Sequence, residues 1–185
     1  MENERELFEI FSALFTYPGA GTGERAGAGA ARLAGAFPSA ATALGEFAAF
    51  ARPAGPAALQ ELYTAAFDLQ PVCAPYLGHQ LCGEDQRRGL FLLKLQEIYR
   101  AHGLTQEREM ADHLSEVLRF LATAPDSPDR RALIADGLLP VLGKMAGAFS
   151  GAGHPYGRLL DALWTSLESS VAAAAADLPQ EAAHD

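Results

Sequence analysis

Residues 83–103 read GEDQRRGLFLLKLQEIYRAHG, and the fold is decided by how this stretch is read. Glu84 and Asp85 stand where the positive end of a helix favours acids, and Phe91, Leu92, Leu95, Ile98 and Tyr99 recur at three- and four-residue spacings. Gly103 follows where a helix stops. The spacing predicts an amphipathic helix, and the same period runs outward on both sides. Downstream, Leu114, Val117, Leu118 and Leu121 place a helix from about Ala111 to the turn Pro125-Asp126-Ser127-Pro128. Ser127-Pro128 opens another, in which Leu133, Ile134, Leu138, Val141, Leu142, Met145 and Phe149 keep the period. Gly137 and Pro140 should bend it or split it into two pieces. Pro155 starts a last helix bearing Leu159, Leu160, Leu163, Trp164, Leu167 and Val171, extended through Ala172–Ala176 by propensity alone.

Upstream, Leu7, Phe8, Ile10, Phe11, Leu14 and Phe15 form one stripe between Asn3 and Tyr17, ended by Pro18 and the glycines at 19, 21 and 23. Residues 25–37 are rich in Ala and Gly, with only Leu33 and Phe37 as large apolar groups. Ser39 is placed to cap a helix carrying Leu44, Phe47 and Phe50. Pro56 sits in the first turn of one carrying Leu59, Leu62, Tyr63 and Phe67, which ends near Asp68. Between residues 70 and 83, two prolines, two glycines and no period indicate an ordered loop or short helical turn joining two halves of the domain. Sustained two-residue alternation is missing, and Ile, Val and Thr are scarce. The expectation is an all-α helical bundle forming a single domain over residues 1–176, with a disordered tail over 177–185.

With 185 residues, 49% of them hydrophobic, the chain has the length and apolar content for one core. The first nine residues carry Glu2, Glu4, Glu6 and Glu9 against Arg5, unlike a basic leader, and no apolar run reaches the roughly 20 residues of a membrane-spanning helix. Two cysteines, Cys73 and Cys82, fit a reducing compartment, so a cytoplasmic protein without stable membrane insertion is expected. The net charge of −9 and the scattered basic residues argue against a nucleic-acid partner and favour a basic one.

Glu109, Met110, Ala111, Asp112 and His113 cluster at a helix start. If that helix ran through them, Glu109, Asp112 and Glu116 would share an acidic face able to hold arginine side chains of a peptide. Equally, Asp112 would simply cap the helix and His113 fill a partly buried slot. Gly83–Gly89 pairs Glu84 with Arg88 at a four-residue spacing, an ordinary surface pair. Alternatively Arg87 or Arg88 ties this helix to Asp68 and braces a groove. Cys73, His79 and Cys82 have zinc-ligand chemistry but lack a fourth ligand, and buried free cysteine is the commoner state. Gly19-Ala20-Gly21-Thr22-Gly23 lacks the Lys-Ser/Thr ending of a phosphate loop. No nucleophile elbow or metal-hydrolase pair is present, so neither catalysis, metal nor cofactor is expected. A nucleotide-binding helical switch and a Cys/His metal-dependent regulator stand as the alternatives.

The tracts Leu59-Gln60-Glu61-Leu62-Tyr63 through Phe67-Asp68, Gly83 to Gly89, Glu109 to Leu114 and Pro155-Tyr156 occur in an order that resembles the nitrate-reductase delta-subunit family of molybdoenzyme assembly chaperones, the NarJ/TorD/DmsD type. Glu109 to Leu114 resembles that family's Glu-x-Pro-Asp-His-Leu signature, with Ala111 in place of its proline. The resemblance implies a non-enzymatic chaperone that binds the amino-terminal segment of a molybdopterin oxidoreductase catalytic subunit, so that molybdenum cofactor insertion precedes assembly or export. On this reading Asp112 and His113 stand at the recognition edge and Tyr63, Phe67 and Asp68 support the groove, while Glu109 and Glu116 from the acidic spacing and Arg87 and Arg88 from the bracing alternative complete the candidate peptide-binding residues. The resemblance leaves open a monomer or a helix-exchanging dimer. His113, near a helix start and two acids, is expected to make peptide affinity change through mildly acidic pH.

Overall fold

The stripe predicted between residues 3 and 17 is buried from Leu7 to Phe15, and it directs the assembly of the molecule. In the computed structural model, which describes residues 2–69, 71–105, 109–149 and 153–176, this stripe belongs to α1 (Glu2–Leu14) and packs on α6 (Leu114–Thr123). Helix α2 (Thr22–Leu33) lies against α3 (Pro38–Phe67), and α3 in turn against α9 (Pro155–Ala176). The amino- and carboxyl-terminal elements share one hydrophobic cluster across the 70–83 segment. Apart from a single bridge between Tyr76 and His113, the described residues hold no β pairing, and the fold is all-α.

Poor intrinsic propensity does not prevent α2 from forming, because its glycines admit close neighbours. A Cβ on Gly29 would lie 2.6 Å from Ile10 of α1. Helix α3 kinks at Gly55, whose φ of +76° is a conformation that side chains disfavour, and Pro56 restarts the helix beyond it. The Ser39 cap is not formed. Phe37 takes the cap position without a side-chain bond, Pro38 begins the helix, and Phe50 is exposed. Segment 70–83 contains α4 (Leu77–Cys82), and α5 (Gln86–Ala101) follows with Asp85 as its cap and Gly103 in a left-handed conformation past its end. Ser127 caps α7 (Pro128–Ala132) by accepting from the Arg130 amide at 3.1 Å. Gly137 and Pro140 do not split the next helix. The chain passes through a π-helical turn at Leu133–Leu138 directly into α8 (Leu139–Ala148), widening the turn instead of breaking it. The expected tail over 177–185 lies outside the described residues. None of the described helices is long and apolar enough to cross a membrane.

At the centre, Tyr156 has no exposed surface, and the rings of Phe15, Phe47, Tyr63 and Phe67 surround it with centroids 5.1–6.4 Å away. Its hydroxyl is buried and finds no partner among the described residues. An unpaired buried hydroxyl costs about 1–3 kcal/mol, so Tyr156→Phe is expected to hold or raise stability by about 1 kcal/mol in urea unfolding. A loss of that size would instead show that the hydroxyl is bonded.

Candidate functional site

The segment before α6 is not helical, and this rearranges the site. Backbone bonds from Leu77 N–H to the Asp112 carbonyl (2.7 Å) and from Leu114 N–H to the Pro75 carbonyl (2.8 Å) tie residues 112–114 to the start of α4. Helix α6 therefore begins at Leu114 rather than near Ala111, and Glu109, Asp112 and Glu116 do not line one helical face. Its cap is His113, not Asp112: the Ser115 amide donates to His113 Nδ1 at 3.2 Å. That bond requires a lone pair on Nδ1, so the ring proton sits on Nε2, 3.5 Å from the Tyr63 hydroxyl. Tyr63 donates its own proton to the Phe15 carbonyl at 3.0 Å. Burial without a compensating anion pushes His113 down to about 4, so it stays neutral through the mildly acidic range and does not titrate there as expected from sequence.

Asp112 is fully buried, and its Oδ2 accepts from Arg88 Nε at 3.0 Å. Arg88 thus joins α5 to the segment before α6, rather than pairing with Glu84 or reaching Asp68. Its guanidinium also lies over the Tyr76 ring, 5.3 Å from the centroid. Tyr76 meets His113 edge-on with ring centroids 5.2 Å apart. Arg87 turns the other way and pairs with Asp85 at 3.0 Å on the surface. Glu116 is buried and engaged by Arg119 at 2.6 Å, which removes it from any exposed acidic face. Phe67 is a core residue whose ring packs on Tyr63 and Tyr156, while Asp68 follows it, exposed, at the end of α3.

The carboxylates that do face this cluster are Glu109 and Asp68. Burial, then the charges of Glu116 and Asp68, hold the Glu109 carboxyl above its ordinary range. Burial, then Glu109 and Asp112, raise the Tyr76 phenol, with Arg88 opposing. The charges of Glu109 and Asp68 thus bear on both Tyr63 and Tyr76. Beside this cluster runs an open groove of about 480 Å³ between the end of α1 and the second half of α3, lined by Tyr17, Gln60, Glu61, Thr64 and Leu69 among others. Tyr17 stacks edge-on against Tyr63 at 5.6 Å and is largely exposed, as are Leu69, Val72 and Met110. Neither Tyr17 nor Tyr76 is among the site residues expected from the sequence. The available signal was modest: each aromatic adjoins a proline at the boundary of a helix.

A small residue is obligatory at position 78. A Cβ on Gly78 would lie 2.8 Å from Asp112 Oδ2 and 3.1 Å from Arg88 Cγ. Gly78→Ala is expected to destabilise by about 1–3 kcal/mol, measured by thermal unfolding, since the Arg88–Asp112 contact must open to admit the methyl group. An unchanged midpoint would show that the contact is slack.

Cys73, His79 and Cys82 do not assemble into a ligand set. No group of three or more His, Cys, Asp or Glu among the described residues is placed to hold a metal ion. Cys73 is buried, accepts from Gln80 Nε2 at 3.2 Å, and burial pushes its thiol up to about 11.

No curated protein is significantly similar to this chain. Among solved structures, a crystal structure from Archaeoglobus fulgidus described as a redox enzyme maturation protein shares the fold, with a TM-score of 0.62 and 24% identity over 89% of this chain and 93% of that one. The family described as nitrate reductase delta subunit matches residues 32–141, from the end of α2 into α8. That span contains Tyr63, Asp68, Tyr76, Arg88 and the Glu109–Glu116 segment, starts earlier than the tracts noted in the sequence, and leaves out Pro155-Tyr156. With more than half of its length matched, the chain belongs to the nitrate reductase delta subunit family.

Proposed function

We propose that this chain is a non-enzymatic cytoplasmic chaperone for a molybdopterin oxidoreductase, binding the amino-terminal segment of its catalytic subunit until the molybdenum cofactor is in place. Family membership supports the maturation role. The observation that carries the peptide reading is the open, largely apolar groove, with the exposed Tyr17 and Leu69 on it and the exposed carboxylate of Asp68 at the end of α3 beside it. A basic, partly apolar peptide matches all three features. Its apolar side chains lie against Tyr17 and Leu69, and its cation lies near the Asp68 and Glu109 carboxylates. His113 and Phe67 serve from beneath, the first by capping α6 and the second by fixing Tyr63.

Ordering a flexible segment consumes part of the interaction energy, which keeps binding releasable. Calorimetry with the amino-terminal peptide of the molybdopterin large subunit from the same genome tests this. Asp68→Asn with Glu109→Gln is expected to weaken binding about tenfold, and raising the salt concentration to weaken it further, because these charges are partly exposed. Binding indifferent to both changes would mean that the peptide is received elsewhere. A groove of about 460 Å³ between α8 and α9, lined by Gly143, Phe149, His154 and Trp164 among others, is the rival location.

A further inference from the structure

We propose that Arg88 is an internal stand-in for a client arginine, and that the place it fills, between Asp112, the Tyr76 ring and Gly78, is a guanidinium-binding site. The inference rests on the peptide reading above and adds a specific contact and its competitor. The Asp112 carboxylate is fully buried, yet only one of its oxygens is used: Oδ2 accepts from Arg88 Nε at 3.0 Å, while Oδ1 has no partner among the described residues. Carboxylates bind guanidinium best through two parallel hydrogen bonds. Arg88 does not achieve this, since its Nη2 is drawn instead to Met110 Sδ at 3.9 Å. The half-used carboxylate, the aromatic face 5.3 Å from the guanidinium carbon and the missing side chain at Gly78 together shape a slot for a flat cation.

The present occupant is placed to leave. The Arg88 side chain retains 21% of its exposure, so its route out leads to solvent. Helix α5 buries only Leu95 and Tyr99, while Leu90 and Leu93 on its outer side are 68% and 59% exposed. An arginine on an extended peptide, free of the α5 backbone, can approach the same carboxylate in the two-bond geometry. In the free protein Arg88 neutralises Asp112, and during binding it competes, which lowers apparent affinity by the fraction of time the slot is closed. That competition returns the slot to Arg88 when the client departs.

The test compares the wild type, Arg88→Ala and Arg88→Ala/Asp112→Asn, each checked for helical content, using the arginine-bearing amino-terminal peptide and ethylguanidinium as probes. Arg88→Ala is expected to bind the peptide more tightly than the wild type, by about a hundredfold or more. It is also expected to gain thermal stability from ethylguanidinium, at concentrations too low to denature, but not from ethylammonium. The double variant should show neither effect. If the peptide binds the wild type but Arg88→Ala binds it no more tightly and does not distinguish the two small cations, the stand-in is overturned and the peptide reading remains. If ethylguanidinium stabilises Arg88→Ala while the peptide binds no variant, the slot stands and the peptide reading falls. Should Arg88→Ala fail to fold, refolding restored by ethylguanidinium alone supports the slot, and no restoration counts against it.

Discussion

Arg88→Ala is expected to lower the unfolding free energy by about 3–5 kcal/mol, and Asp112→Asn by only about 1 kcal/mol. The asymmetry follows from where each partner ends up. Removing Arg88 leaves a carboxylate with no exposed surface, one oxygen of which already lacks a partner, and burial of an uncompensated charge is among the most costly single changes. Removing the charge at 112 leaves Arg88, whose side chain already reaches water, free to swing outward, and the amide that replaces the carboxylate is neutral. The double variant Arg88→Ala/Asp112→Asn should therefore be more stable than Arg88→Ala alone. Urea unfolding at neutral pH distinguishes the cases. Equal losses for the two single variants would show that the pair works as an exposed surface contact.

Acidification is expected to remove about 3 kcal/mol of stability through His113. Its ordinary value is near 6.5 and burial pushes it down to about 4, so between those limits the unfolded chain takes up a proton that the folded chain refuses. Stability from this group is complete above about pH 6.5, declines as pH falls, and is fully lost below about pH 4. Protonation at Nδ1 would also abolish the acceptor for the Ser115 amide, uncapping α6. Unfolding free energies of the wild type and His113→Gln, measured from pH 7.5 to pH 4, should converge as pH falls. Parallel profiles would show that His113 is already charged or solvated in the folded protein. The same value places the pH effect in stability rather than in peptide affinity across the mildly acidic range.

Periodicity carried the helices because apolar spacing is a local property: the stripes of α1, α5, α6 and α9 and the stops at Pro18 and Gly103 depend on residues a few positions apart. Helix α2 was harder to read, since Gly23, Gly27 and Gly29 weaken the isolated helix and are accepted only because Ile10 and Arg52 come close to them in the fold. The site was legible in its residues but not in its geometry. Asp112 and His113 follow one another, yet one is fastened to α5 across 24 positions and the other caps α6, a role more usual for Asp or Ser. The acidic face of Glu109, Asp112 and Glu116 assumed a helix that two backbone bonds to Pro75 and Leu77 prevent. Tyr76 acquires its significance only when α4 folds beneath Asp112 and brings the ring under Arg88.

Amide hydrogen exchange with and without the amino-terminal peptide of the molybdopterin large subunit tests most directly whether this face receives the client. Protection is expected at Tyr17, at Thr64–Leu69 and from Tyr76 to Gly78, with α8 and the start of α9 unchanged. Protection confined to Gly143–Phe149 and Gly157–Trp164 would contradict the account and move the peptide to the groove between α8 and α9.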